Sequence, residues 1–421
     1  MEFTPTRLSV SALVATVGLL AALASGCVPA RAADSDQSKR TVSRELAKPL
    51  TEARADIESG KLKEAIGKLT QADADPHKSP WDQHVINELL LYAYVKTSDY
   101  AKAAQAMEST IGDGFTEPAQ VNDRIKELAR IHYQLNDYTR ALQYAQRALQ
   151  GGFADEATSL IAGESYYQKS DFQNARLFTN TAIEREVRQG EVPKETELVI
   201  VLNSCIKLDD QPCTTQALER LVTWYSKPEY WQRLIDVLYR LKPAQSNDAD
   251  MLNIYRLANE VGAIRRPEDY TEMAQLALEQ GAPGEARQVL EKGFAQNVFN
   301  DRPVHDRNQR LLEKAKSESA SDLAQLPKLE REASATGGGD KDVAVGVAYL
   351  SYQQYDKAVR LLQRGLDKGR LKNPIQAQLL LGIAEFKSGD RTSAVKTFRG
   401  VKGDDPVIAR LASLWSVHVR Q

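Results

Sequence analysis

The sequence predicts an all-α fold, an α-solenoid in which helical hairpins stack into a right-handed superhelix. Three observations carry this expectation. One pattern occurs twice at a separation of 34 residues, pairing Tyr138 with Phe172, Ala141 with Ala175 and Ala148 with Ala182. Each copy reads as two helices around a short polar turn. The first has Ile125, Leu128, Ala129 and Tyr133, the turn Asn136-Asp137-Tyr138, then Ala141, Ala145 and Ala148. The second has Ala162, Gly163, Tyr166 and Tyr167, the turn Ser170-Asp171-Phe172, then Ala175, Thr179 and Ala182. Lastly, the residue types suit close stacking. A small residue lets the two helices cross closely, an aromatic just past the turn plugs the hairpin end, and the alanines face the next copy. No such hairpin buries its apolar face alone, so neighbours must stack.

Composition narrows the function classes. The chain has 421 residues, 55 basic and 57 acidic side chains, and a formal net charge of -2. That balance, with no basic stripe interleaved with aromatics, argues against nucleic acid or an anionic lipid surface as a partner. Only Met1 to Leu23 approaches membrane-spanning length. It has the layout of a secretion signal, with Arg7 followed by an Ala-, Val- and Leu-rich run. Two cleavage readings compete. Leu23-Ala24-Ser25-Gly26-Cys27 resembles a bacterial lipobox, with Ala24 where leucine is usual, and would place a lipid on Cys27. Ala30-Arg31-Ala32 instead fits ordinary cleavage after Ala32. The lipoprotein reading is carried forward because the cysteine falls where the apolar run stops. Val28 lacks the aspartate associated with inner-membrane retention, which favours a periplasmic protein held at the outer membrane by its N-terminal lipid.

The chain then divides into five parts. Residues 1–27 are the signal, 28–42 a tether, 43–300 hairpins, 301–340 a charged helical insertion with a Gly-rich joint, and 341–421 further hairpins with a capping helix. About nine hairpins and a cap are expected in all. The first turns at Gly60, and the second at Ser98-Asp99-Tyr100. Glu195 to Trp224 and the stretch opened by Pro228-Glu229-Tyr230-Trp231 continue with weaker signals, and Pro267 opens a clearer copy turning at Gly281. Asp301 to Ala335 is charged and lacks sustained apolar periodicity, so an arm broken near Pro327 is expected. Gly337-Gly338-Gly339 reads as a flexible joint. Pro406 to Arg420 is one amphipathic helix, suited to covering the last exposed face.

The 34-residue pattern resembles the tetratricopeptide repeat (TPR). Lys227-Pro228-Glu229-Tyr230-Trp231, Pro267-Glu268-Asp269-Tyr270 and Met273-Ala274-Gln275-Leu276-Ala277 narrow the resemblance. They are similar to periplasmic and lipoprotein TPR proteins of Gram-negative bacteria, including those that accompany TonB-type systems. The resemblance implies an envelope location and an accessory or scaffolding role.

Catalytic and metal signatures are sparse. His77, His84, His132, His305 and His418 include no pair at i,i+4 and no HExxH, and neither GxSxG nor a phosphate-binding GxxxxGK[ST] loop occurs. No enzyme, cofactor or metal is therefore expected. Cys205 and Cys213 are expected as packed free thiols. A bridge needs Cα atoms about 5.5 Å apart, whereas antiparallel helices lie about 8–10 Å apart; a disulfide is the alternative in an oxidising compartment. The remaining candidate is the concave groove that the first helix of each hairpin lines in TPR proteins. Carried onto the clear copies, that pattern selects Glu88, Tyr92, Lys126, Arg130, Tyr133, Gln134, Glu164, Tyr167 and Gln168. Mixed charge, amides and tyrosines suit an extended peptide of a protein partner. The alternative is a glycan, peptidoglycan or an exported polysaccharide, stacked on the tyrosines.

Overall fold

A computed structural model describes residues 40–240, 247–403 and 405–421. The secretion signal and the lipid-attachment candidate Cys27 lie outside the described residues. Twenty helices and no strand are found among the described residues, and no described helix is long and apolar enough to cross a membrane. The chain falls into two compact units, residues 1–210 and 211–421.

Unit one contains α1 (Arg44–Glu58), α2 (Leu62–Asp73), α3 (Pro80–Lys96), α4 (Tyr100–Thr110), α5 (Pro118–Gln134), α6 (Tyr138–Gln150), α7 (Glu156–Gln168), α8 (Phe172–Gln189) and α9 (Glu195–Lys207). Consecutive helices pair as hairpins, and the first helices of successive hairpins also touch, α1 on α3, α5 on α7 and α7 on α9. The turns explain the register. Ser98, Asn136 and Ser170 each adopt φ 60° after the first helix, and the aspartate that follows caps the second. The carboxylates of Asp99, Asp137 and Asp171 accept from the backbone N–H of Lys102, Arg140 and Asn174 at 3.3, 3.1 and 3.2 Å. Each satisfies a helix N–H that would otherwise lack a partner. The next aromatic closes the hairpin end: Tyr138 meets Tyr133 edge-on at 5.5 Å, and Phe172 meets Tyr167 at 5.3 Å. Gly163 marks the crossing, since a Cβ there would lie 2.4 Å from Thr179 Oγ1.

Asp82 ties the first hairpin to the second. Its Oδ1 accepts from the Ser43 N–H that precedes α1 at 3.0 Å, while Oδ2 accepts from the N–H and hydroxyl of Ser79 at 2.8 and 2.7 Å. Burial alone would raise its pKa; these hydrogen bonds outweigh burial and hold the carboxyl below its usual value.

Unit two contains α10 (Gln211–Trp224), α11 (Pro228–Arg240), α12 (Asp248–Glu260), α13 (Pro267–Glu279), α14 (Pro283–Ala295), α15 (Arg302–Ser334), α16 (Asp340–Ser351), α17 (Tyr355–Lys368), α18 (Pro374–Lys387), α19 (Arg391–Gly400) and α20 (Pro406–Arg420). Four sequence expectations are revised by these elements. The charged segment is one helix of 33 residues with no break at Pro327. That proline is exposed, so the carbonyl of Leu323 that loses its N–H partner lies on the solvent side. Nor is the segment a detached arm: α15 packs on α13, α14 and α16, burying Asn308, Leu312, Ala315, Ser319, Leu326 and Ala333.

The glycine run is not simply a joint. A Cβ on Gly339 would lie 1.9 Å from the Gly365 carbonyl oxygen, so this glycine is a close-packing residue between α16 and α17. Cys205 and Cys213 are each disulfide-bonded rather than packed as thiols. Mid-helix spacing was the wrong guide for two cysteines that stand only eight residues apart in the chain. Finally, α20 does more than cap the last hairpin. Besides α19 and α18 it packs on α12 and α10, which returns the end of unit two to its beginning. Gln421 Nε2 donates to the Val222 carbonyl at 2.6 Å, and Arg410 Nε lies 2.9 Å from Glu219.

Candidate partner-binding face

The nine residues selected from the sequence fall on α3, α5 and α7, the first helices of three successive hairpins. Glu88 Oε1 lies 2.6 Å from Arg124 Nη1, and Arg124 also donates to the Thr110 hydroxyl and, at 3.2 Å, to that of Thr116. The Lys96 ammonium sits 5.5 Å from the centre of the half-buried Tyr92 ring. Lys126 pairs with Asp123 at 2.8 Å, one turn back on its own helix. Arg130 bridges Glu127, at 3.0 Å, and Asp155 at the start of α7. Burial pushes the Glu127 carboxyl up against the pull of Arg130. Burial acts the same way on Asp155, but the Thr158 hydrogen bonds and the Arg130 charge outweigh it and hold that carboxyl low.

Two of the nine do not reach the surface. Tyr133 is buried and Glu164 fully so. Since α5 and α7 pack directly, the phenol and the carboxylate meet between the helices instead of facing an open groove. Burial first, and then the Glu164 charge, push the Tyr133 phenol well above its usual range. These two residues belong to the wall. Tyr92, Lys126, Arg130, Gln134, Tyr167 and Gln168 remain half-buried on its outer side.

Sequence reading passed over Arg124, Glu127 and Asp155, which fix the charges of this face. Asp155 had a local signal: it precedes Glu156-Ala157-Thr158 and accepts from Thr158 N–H at 2.8 Å as an N-cap. Glu127 had one as well, since Arg130 follows it at i,i+3 on α5, whereas Arg124 had none, because Glu88 lies on α3. Two histidines of unit one, His84 and His132, serve similar networks. His84 Nδ1 is 2.7 Å from Asp113 and stacks on Trp81 at 5.0 Å. His132 is buried and has Nε2 2.9 Å from Glu108, which also accepts from the Tyr144 hydroxyl at 2.9 Å. Among the described residues, no three His, Cys, Asp or Glu side chains are placed to hold a metal ion.

The resulting face has its strongest charges tied in pairs and its tyrosines and amides partly open. It can pack side chains on aromatic rings and meet a peptide backbone with amide groups. The tetratricopeptide repeat family model matches residues 88–158 and 126–190, the stretch that carries this face. No curated protein matches the sequence. Among solved structures, the chain is similar to a tetratricopeptide repeat protein from Parabacteroides merdae, with 11% identity, 79% of this chain and 98% of that one covered, and a TM-score of 0.31. It is also similar to the TPR2AB domain of yeast Sti1 in its complex with pHSP90, with 15% identity, 72% and 100% covered, and a TM-score of 0.26.

Proposed function

We propose that this chain is a non-catalytic scaffold of the bacterial cell envelope. It binds an extended segment of a partner protein on the face formed by α3, α5 and α7. The observation that carries the reading is the arrangement within the repeats. Ion pairs fix Glu88, Lys126 and Arg130 in place, while Tyr92, Tyr167 and Gln168 stay partly open beside them. Such a surface loses little side-chain entropy on binding. The match of the same stretch to tetratricopeptide repeats supports protein binding as the task. The envelope address rests on the secretion-signal layout of residues 1–27 and on Cys27 as a lipid attachment point. An accessory role beside TonB-type machinery is the narrowest form of the proposal, resting on the motifs around Pro228 and Pro267.

The test is affinity capture from envelope extracts with the full chain and with Y92A/Y167A. Tyr133 is left intact because its loss would empty the wall. A partner held by the parent chain and lost by the double variant supports the face; equal capture by both removes it. Tyr92 and Tyr167 are also the rings on which a glycan would stack, so the runner-up reading is peptidoglycan or exported polysaccharide. Retention on purified cell wall that Y92A/Y167A abolishes, with no protein captured, would favour it.

A further inference from the structure

A second surface of unit one lies away from that face. Helix α8 carries two stripes. Ala175, Thr179, Ile183 and Glu186 are buried in the hairpin stack. The other stripe, led by Leu177, Phe178, Arg185 and Arg188, lines an open groove of about 390 Å³ with Leu149 of α6 and Tyr166 of α7. At 100° per residue, Tyr166 lies across α7 from Glu164 and Gln168, and none of the nine face residues lines the groove.

The groove is apolar where a folded chain has no need of it. Leu177 is 64% exposed, and Phe178 and Tyr166 form a tilted ring pair at 6.0 Å. The Tyr166 hydroxyl is fixed by a 2.7 Å hydrogen bond from Gln146 Nε2, which holds that ring as one wall. At the end nearest the C-terminus of α8, Arg185 and Arg188 stand one turn apart and exposed. Most arginines of unit one discussed above are paired, Arg124 with Glu88 and Arg130 with Glu127 and Asp155. Among the described residues neither Arg185 nor Arg188 is held by an ion pair, although Glu184 lies one turn before Arg188. An apolar trough ending in two unpaired guanidiniums is complementary to an apolar side chain followed by carboxylates.

We infer that this groove is a docking site for a short acidic peptide segment whose leucine or phenylalanine seats between Leu149, Leu177 and Phe178. Its aspartates or glutamates pair with Arg185 and Arg188. The site is separate from the first-helix face, so one chain can hold two segments at once. It stands or falls independently of the function proposed above.

The test starts from random-peptide display on the full chain, followed by affinity measurement with the enriched peptide carrying a fluorophore. Enriched peptides should place Leu or Phe within a few residues of Asp or Glu. R185E/R188E and, separately, L177D should weaken binding at least tenfold, raised salt should weaken it further, and Y92A/Y167A should leave it unchanged. Leu177, Arg185 and Arg188 are exposed and Tyr92 and Tyr167 half-buried, and thermal melts check that the variants fold; the double arginine variant suffices if L177D melts early. Enrichment of peptides without acidic residues, or binding indifferent to both groove variants, overturns the inference. So does no peptide enrichment together with a concentration-dependent dimer that L177D abolishes, which would give the groove to a second copy of the chain.

Discussion

Glu197 is 1% exposed, and its carboxyl meets that of Glu186, itself 5% exposed. Burial, and then the Glu186 partner, push Glu197 up to about 8 from a usual 4.5. The sign follows from linkage. Below the usual value both folded and unfolded chains hold the proton, so nothing is lost. As pH rises the unfolded chain releases it while the folded one retains it, and stability falls until the folded group also ionises. The melting temperature of unit one should therefore drop between about pH 4.5 and 8 and then level off. E197Q, which keeps one neutral donor against Glu186, should flatten that profile and melt higher at pH 8. Thermal melts across this range check it, and an unchanged slope in E197Q would assign the effect elsewhere. A second residue-scale expectation concerns the turns. Gln353 sits at φ 59° and Asn136 at 60°, but only asparagine has local hydrogen bonding that eases this conformation. Q353G should stabilise by about 0.5–1 kcal/mol and N136G by less, as read from denaturant midpoints. The turns were legible in the sequence because Ser98-Asp99, Asn136-Asp137 and Ser170-Asp171 act locally. Glu197 was not, since its partner Glu186 lies on the preceding helix and nothing in the spacing foretells that two acids face each other.

At the scale of elements, the legible helices are those with alanines and aromatics at 34-residue spacing, and the misread one is α15. It buries Asn308, Leu312, Ala315, Ser319, Leu326 and Ala333, a sparse stripe in which four of the six residues are polar or small. Such a stripe gives little hydrophobic periodicity, although Asn308 Oδ1 accepts from the Thr271 hydroxyl at 2.9 Å and Tyr349 donates to Glu330 at 2.9 Å. Element packing makes its own expectation at the glycine run. G339A must displace the Gly365 backbone, so it should destabilise by about 1–3 kcal/mol. G337A, with open space around it, should change stability by less than about 0.5 kcal/mol. Equal effects in urea unfolding would mean that α16 and α17 do not approach as closely as described. The candidate face shows the same division. Its helices and positions were readable from the repeat, but the withdrawal of Tyr133 and Glu164 into the wall depends on α5 packing against α7.

For the molecule as a whole, each unit has its own way of closing. Unit one begins with the Asp82 clamp on the chain entering α1. Unit two is closed by α20, which packs back on α10 and α12. At that junction Glu260 receives Lys387 of α18 and lies 3.7 Å from Nε2 of His418 on α20. Burial alone would raise the Glu260 carboxyl, but His418 and Lys387 outweigh it and lower it to about 2 from 4.5. This contribution is present above the usual value and is lost as pH falls toward 2. E260Q should cost about 1–3 kcal/mol at neutral pH and move acid unfolding to higher pH. An unchanged acid limb would show that the junction does not hold α20.

The central claim is that α3, α5 and α7 present a partner-binding face, and site-specific photo-cross-linking in intact cells tests it most directly. A benzophenone side chain placed in turn at Tyr92, Lys126 and Gln168, on the first helices of three successive hairpins, should capture the same protein at all three positions. The same group at the exposed Gln143 of α6 should not capture it. Adducts absent from the three face positions, or equally strong at Gln143, would contradict the account.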